Sequence, residues 1–277
     1  MLKLLPEISN MKKGFFKLLK IVLGIYIILC ATLYFFQEKL IFFPQKLAPN
    51  YTFDFRQNFE EINTITPDGK SIHGLLFKAD SSKGLIFYLH GNAGSIKTWG
   101  EAAKTYTALN YDVFIPDYRG YGKSEGKITS ENQLFSDNQL VYNQLKKRYS
   151  EHKMIILGYS IGTGLAAKLA STNKPRLLIL QAPYYNLTDM MKHRFSFIPT
   201  FLLKYKFATN QYLKNCKMPL VIFHGNEDRV IYYASSLKLK AEFKPQDTLI
   251  TLMGQGHGGI TDNEEYREAI RGILGRL

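Results

Sequence analysis

Gly158-Tyr159-Ser160-Ile161-Gly162 is a Gly-x-Ser-x-Gly pentapeptide, which sets one hydroxyl between two glycines. Such a serine can attack an acyl carbonyl when it sits at the apex of a tight turn from strand to helix. The flanks predict that context. Met154-Ile155-Ile156-Leu157 is an apolar run suited to a buried parallel strand. From Ile161 to Ser171, Ile161, Leu165 and Leu169 recur four residues apart among small residues, which predicts a helix packed closely on a sheet. Glycine at 158 and 162 avoids collision with neighbouring strand and helix, and the turn holds Ser160 in a strained backbone conformation. The helix N-terminus aims amide hydrogens and a positive dipole end at the place where negative charge develops. The pentapeptide alone is a weak signal; its strand and helix flanks raise it.

A serine hydroxyl needs a base before it becomes a useful nucleophile. His90, His193, His224 and His257 compete for that role. His257 lies in Gly254-Gln255-Gly256-His257-Gly258-Gly259, whose glycines let a loop bend the imidazole towards the serine. His90 and His224 each end an apolar run and precede glycine, which suits loop shaping. His257 is therefore the expected base. The acid that orients it should follow a strand and precede it in the chain. Asp228, just after the run Leu220 to Phe223, satisfies both conditions, with its neighbour Glu227 as rival. Otherwise either carboxylate is a solvated loop group or a partner for Arg229. Asp228 would fix the imidazole tautomer and stabilise the imidazolium. Two donors for the developing oxyanion are expected from the backbone amides of Ile161 and Asn92, with Ala93 as second choice in the loop His90-Gly91-Asn92-Ala93-Gly94. A phosphate-cradling role for that loop is opposed by the lack of a following Gly-Lys-Ser/Thr.

These groups need a scaffold. Strands are expected at Glu60 to Thr66, Ser71 to Ala79, Leu85 to His90, Asp112 to Pro116, Leu177 to Gln181, Leu220 to His224 and Thr248 to Met253. Helices are expected at Lys97 to Leu109, Glu131 to Tyr149, Ala234 to Glu242 and Asn263 to Leu274. A hairpin followed by alternating strands and helices predicts the α/β class, with a mostly parallel central sheet covered by helices on both faces. Residues 183–217 break the alternation. This stretch is long for a connector and rich in Met, Phe, Tyr and Leu, so it is either a lid over the strand ends or an ordinary excursion on the core.

The elbow, the His-Gly-Asn-Ala-Gly loop and the segment Asp117-Tyr118-Arg119-Gly120-Tyr121-Gly122-x-Ser124 together resemble the α/β-hydrolase superfamily. Within it, they resemble the membrane-anchored branch of bud-emergence-type hydrolases and abhydrolase-domain proteins. The resemblance runs from about Phe59 to the C-terminus, and Ser160, Asp228 and His257 all match the family pattern. It implies ester or thioester hydrolysis without a cofactor or metal. Depalmitoylases of that branch carry an N-terminal cysteine cluster, whereas this chain has only Cys30 there. In the Asp117 to Ser124 segment, Arg119 either meets an anionic substrate group or braces the loop beneath the elbow.

The N-terminal part has a different logic. Residues 1–20 are basic, with Lys3, Lys12, Lys13, Lys17 and Lys20 against Glu7. Ile21 to Gln37 carries no charge, and these 17 residues make roughly 25 Å of helix, which snorkelling lysines extend to a span over 18–37. An uncleaved anchor is favoured over a signal peptide, because no small-x-small cleavage site follows. Lysines before the run predict a cytoplasmic N-terminus and an extracytoplasmic catalytic domain. The connector 38–58 is aromatic-rich and could lie on the membrane or pack on the domain 59–277. Net charge is +13, yet no Arg-rich helix or zinc pattern points to nucleic acid. Cys30 and Cys216 give no disulfide framework. The expected activity is therefore that of a membrane-anchored serine hydrolase cleaving a lipid-like or other apolar acyl substrate. A peptidase using the same triad, or a catalytically silent binding module, are the alternatives.

Overall fold

The computed structural model describes the backbone of residues 4–277 and the side chains from Lys12 onward. Helix α1 (Leu4–Phe35) leads into the short α2 (Gln37–Ile41) and a two-residue strand, β1 (Phe43–Pro44). The hairpin β2 (Phe59–Ile65) and β3 (Ser71–Phe77) precedes β4 (Leu85–Leu89), the two-residue β5 (Ala93–Gly94), α3 (Ile96–Trp99) and α4 (Ala103–Thr107). Next come β6 (Asp112–Pro116), α5 (Glu131–Leu145), β7 (Met154–Tyr159), α6 (Gly162–Ser171) and β8 (Leu177–Gln181). The chain ends with α7 (Leu187–Arg194), α8 (Thr209–Leu213), β9 (Leu220–Gly225), α9 (Ala234–Leu239), β10 (Thr248–Leu252) and α10 (Glu264–Gly275).

Eight strands form one sheet in the order β10-β9-β8-β7-β4-β6-β3-β2. Only β3 runs against its neighbours β2 and β6; the remaining pairs are parallel. The central strands read as unbroken apolar runs because both faces are covered. In β4, Leu85, Phe87 and Leu89 face a core that includes Leu134 and Val141 of α5 and Leu165 of α6. Ile86 and Tyr88 face the opposite core, which includes Tyr106 of α4 and Tyr266, Ile270 and Leu274 of α10. The longer helices α5 and α10 start at side-chain caps: Ser130 accepts from the Gln133 amide, and Asn263 from the Tyr266 amide.

The helix expected at Lys97 to Leu109 is broken. A 3-10 turn at Gly100–Ala102 separates α3 from α4. The reason is a close approach: a Cβ at Gly100 would lie 2.3 Å from the Phe55 ring, so the connector docks where the helix yields. The expected helices at 131–149 and 234–242 also stop early, the latter tightening into a 3-10 turn at Lys240–Glu242. The connector packs on the domain. Phe42, Leu47 and Phe53 are buried, and β1 pairs in parallel with β5, Phe43 opposite Ala93.

Close packing at the elbow gives a stability prediction. A Cβ at Gly162 would stand 2.1 Å from the Leu89 carbonyl oxygen, a backbone atom held in the central strand. Gly162→Ala is expected to cost about 3 kcal/mol, the upper part of the usual range for overpacking. Denaturant unfolding of the detergent-solubilised variant reads it; an unchanged midpoint would contradict the close approach.

Candidate active site

Ser160 follows β7 with φ of 53°, a left-handed conformation that serine rarely adopts. The turn is held by the Ser160 amide, which donates to the Gln181 carbonyl (2.9 Å), and by the Thr163 amide, which donates back to the Ser160 carbonyl (2.9 Å). Strain at one residue is thus offset by bonds to the adjacent strand and the first helical turn. The side chain is 9% exposed, enough for the hydroxyl to face a cavity rather than bulk water.

Asp228 follows β9 and His257 follows β10, so both loops leave the same edge of the sheet as the elbow. His257 Nε2 lies 3.0 Å from Ser160 Oγ, and His257 Nδ1 lies 2.7 Å from Asp228 Oδ2. With Nδ1 donating to the carboxylate, Nε2 is left as an acceptor for the serine proton. Asp228 is buried, whereas the rival Glu227 is exposed. Burial pushes the Asp228 pKa up, but hydrogen bonds from His224, His257 and the Ile231 amide outweigh it and hold the carboxyl well below the usual range. Its Oδ1 accepts from the Val230 and Ile231 amides, both at 2.8 Å. The carboxylate is therefore ionised and immobile, as an orienting group must be. The loop carrying the imidazole is braced as well. Tyr159 donates its hydroxyl to the His257 carbonyl, and Gln255 Nε2 donates to the Gly258 carbonyl at 2.6 Å.

Asn92 sits in the turn after β4. Its side chain accepts from the Tyr121 hydroxyl (3.0 Å) and the Phe43 amide (3.3 Å), and donates to the Ile41 carbonyl. Those bonds tie the loop to the connector. The Asn92 and Ile161 amides donate to no backbone carbonyl among the described residues, which leaves both available to a ligand. Beneath the loop, Asp117 accepts from the Ile96 amide (2.9 Å) and lies 3.6 Å from His90 Nε2. Burial raises Asp117 to about 7 and lowers His90 to about 4, so the buried pair resists carrying separated charges. His90 donates Nδ1 to the Gly91 carbonyl and tilts over the Tyr118 ring at 4.3 Å, a loop-shaping position.

The other candidates fall elsewhere. His224 bonds Ser236 and the Ile231 carbonyl, supporting Asp228 from behind. His193 stacks on Tyr232 with ring centroids 4.2 Å apart. Arg119 does not line the cavity that opens on Ser160. Its guanidinium is 5% exposed and binds Asp68 in the hairpin turn and Asp137 on α5, tying those two elements together. Sequence reasoning missed Ile41 and Tyr159 as supports, because neither has a spacing signal; their roles depend on contacts made across the sheet edge.

A cavity of about 490 Å³ opens on Ser160, Ile161, Asn92 and His257. Its remaining wall is largely apolar, including Ile41, Leu187, Met190 and Ile231. Leu187 and Met190 come from α7, so part of the 183–217 segment covers the site. The family described as serine aminopeptidase, S33, matches residues 80–211, which include Ser160 and the Asn92 loop. Protein bem46 of Schizosaccharomyces pombe is 30% identical over 226 residues, covering 76% of this chain and 75% of that protein. The chain belongs to the α/β-hydrolase superfamily, in its abhydrolase/bem46 branch.

This α/β-hydrolase is also 32% identical over 183 residues to the lysophosphatidylserine lipase ABHD12 of Danio rerio, covering 57% of this chain and 47% of that protein. With the Macaca fascicularis protein of the same name the identity is 31% over 230 residues, 71% of this chain and 57% of that protein. The hydrolase chain thus spans about half the length of these lipases. An esterase of Pyrococcus furiosus, Pf2001, shares the fold with a TM-score of 0.69 over 86% of this chain and 98% of that one, at 20% identity. Among the described residues, one helical stretch near the N-terminus, Lys12–Phe35, is long and apolar enough to cross a membrane, with mean hydropathy 2.3.

Proposed function

We propose that this α/β-hydrolase is a membrane-anchored serine esterase that cleaves ester or thioester bonds of lipid-like acyl substrates. The observation that carries the reading is the continuous contact from Ser160 Oγ to His257 to Asp228. Ser160 Oγ attacks the acyl carbonyl while His257 Nε2 takes its proton. Asp228 holds the imidazolium, and the Asn92 and Ile161 amides receive the oxyanion. His257 then returns the proton to the departing alcohol or thiol, leaving an acyl-Ser160 ester. Water, deprotonated by His257, releases the acid and restores the serine. Nucleophile, base, acid and oxyanion donors all come from the chain itself, so no step calls for a metal or cofactor.

The relatives named lysophosphatidylserine lipase support a lysophospholipid as substrate: one ester-linked acyl chain and an anionic head group. The apolar wall of Ile41, Leu187, Met190 and Ile231 suits the acyl chain. Lysines at 12, 13, 17 and 20 support a cytoplasmic N-terminus, with the catalytic domain on the other side of the membrane. The serine aminopeptidase description of the matched family favours a second reading, amide hydrolysis by the same triad. The test is to offer the full chain, in detergent, a lysophospholipid, a p-nitrophenyl acyl series and an aminoacyl anilide. Turnover of the first two with the anilide inert is expected. Anilide turnover with inert esters would replace esterase by peptidase. A silent binding module would turn over none of them and leave Ser160 unlabelled by a fluorophosphonate.

A further inference from the structure

The catalytic chemistry makes no use of residues 195–203, which stand beside α1. Phe195, Phe197 and Phe201 in this stretch are 48%, 62% and 82% exposed. Three exposed phenylalanines within seven residues mark a contact with something apolar. The stretch is tied to the N-terminal helices by specific bonds. The Tyr26 hydroxyl donates to the Phe197 carbonyl at 2.8 Å. The buried Gln37 side chain donates to the Leu202 carbonyl (3.0 Å) and accepts from the Lys204 amide (2.8 Å). Between helix and loop lies a hollow of about 510 Å³, lined by Ile27, Cys30, Tyr34, Pro199, Phe201 and Leu202.

We infer that residues 195–203 form a second membrane contact, a wedge seated in the outer acyl layer of the leaflet from which α1 emerges. Its partner is a lipid surface with anionic head groups. The inference rests on the proposed reading of α1 as a membrane span. A hydrocarbon core of ~30 Å takes about 20 helical residues. The apolar helix runs from Lys12 to Phe35. Tyr26 lies within that apolar helix, so a carbonyl bonded to it stands below the head groups of the membrane the helix would cross.

Backbone and charge agree with this placement. The Ile198, Leu202 and Leu203 amides are satisfied within the loop, by the carbonyls of Phe195, Pro199 and Thr200. Together with the Tyr26 and Gln37 bonds, this lowers the cost of bringing non-helical backbone to the acyl boundary. Lys192, Arg194 and Lys206 flank the apolar stretch, and no Asp or Glu occurs between Asp189 and Glu227. Basic groups on either side of an apolar tip match anionic head groups around an inserted wedge. α7 joins the wedge to the catalytic cavity over ~12 Å of helix, with Leu187 and Met190 at the cavity end. The site is thereby held against the leaflet that would supply an acyl substrate.

The test uses the full chain in phosphatidylcholine–phosphatidylglycerol vesicles containing acyl-brominated lipid. Cys30→Ser removes the accessible thiol, and Cys216 is 1% exposed and does not label. A nitrobenzoxadiazole probe is then placed by Ile28→Cys in the span, Phe201→Cys in the wedge, or Glu268→Cys on α10. The expected result is comparable loss of fluorescence at 28 and 201, and none at 268. Quenching at 28 with position 201 behaving like 268 would overturn the wedge while leaving the span intact. Absence of quenching at both 28 and 201 would remove the span and the wedge together. Withdrawing phosphatidylglycerol should weaken quenching at 201 alone; equal quenching without it would overturn the head-group part.

Discussion

Ser160→Ala is expected to lower ester turnover by at least about 10⁴-fold while leaving the protein folded. The substitution removes one oxygen whose hydrogen-bond partner in the structure is His257 Nε2, at 3.0 Å. The left-handed turn survives, because its bonds to Gln181 and Thr163 are made by backbone atoms. Alanine fits wherever the serine methylene fits, so the sheet and α6 keep their packing. On the proposed mechanism, what remains is a cavity with two oxyanion donors and a base but no nucleophile, which leaves only the weak background assistance such donors give to water. The check is kcat on a p-nitrophenyl ester beside the thermal midpoint of the same preparation. Loss of both together would mean misfolding, and turnover near the unmodified rate would place the nucleophile elsewhere.

Asp228→Asn is the second large effect, with kcat expected to fall by about 10⁴-fold at neutral pH and KM little changed. The geometry dictates which way the new amide points. The introduced side chain must keep its oxygen towards the Val230 and Ile231 amides, since turning it would set an NH₂ group against two donors. Its nitrogen then occupies the Oδ2 position, 2.7 Å from His257 Nδ1. Nδ1 becomes the acceptor, the ring proton moves to Nε2, and Nε2 can no longer take the proton of Ser160. The loss is therefore one of tautomer rather than of contact. Glu227→Gln, at the exposed neighbouring position, is expected to leave kcat unchanged. If Glu227→Gln gave the large loss and Asp228→Asn none, the orienting acid would have to be reassigned.

Both effects concern residues that local sequence marks clearly. The elbow is legible because a tight turn between a buried strand and a close-packed helix leaves no room for side chains at 158 and 162, so two glycines flank the serine. The strands β4 and β7 are legible because burial on both faces demands apolar residues at every position. The starts of α5 and α10 are legible in their capping residues, Ser130 and Asn263. These constraints act between neighbours in the chain, so they are written in neighbours.

The rest was decided by tertiary structure. The aromatic connector has no period that separates a membrane surface from a protein surface; it packs on the domain because β5 offers an unpaired edge to Phe43 and Pro44. The helix at 97–109 reads as continuous until the Phe55 ring, more than forty positions earlier, takes the space beside Gly100. Arg119 lies in a segment that rims the sheet edge, yet its partners Asp68 and Asp137 come from a turn and a helix whose closeness no local pattern encodes. His257 and Asp228 could be nominated from glycine-rich loops and chain order, but their contact depends on β9 and β10 standing side by side in register. Sequence by itself determined the elements and the residue types able to do chemistry, because backbone conformation and burial are local demands. Which distant surfaces meet was left to the folded sheet, because that choice depends on what each element leaves uncovered after it has packed.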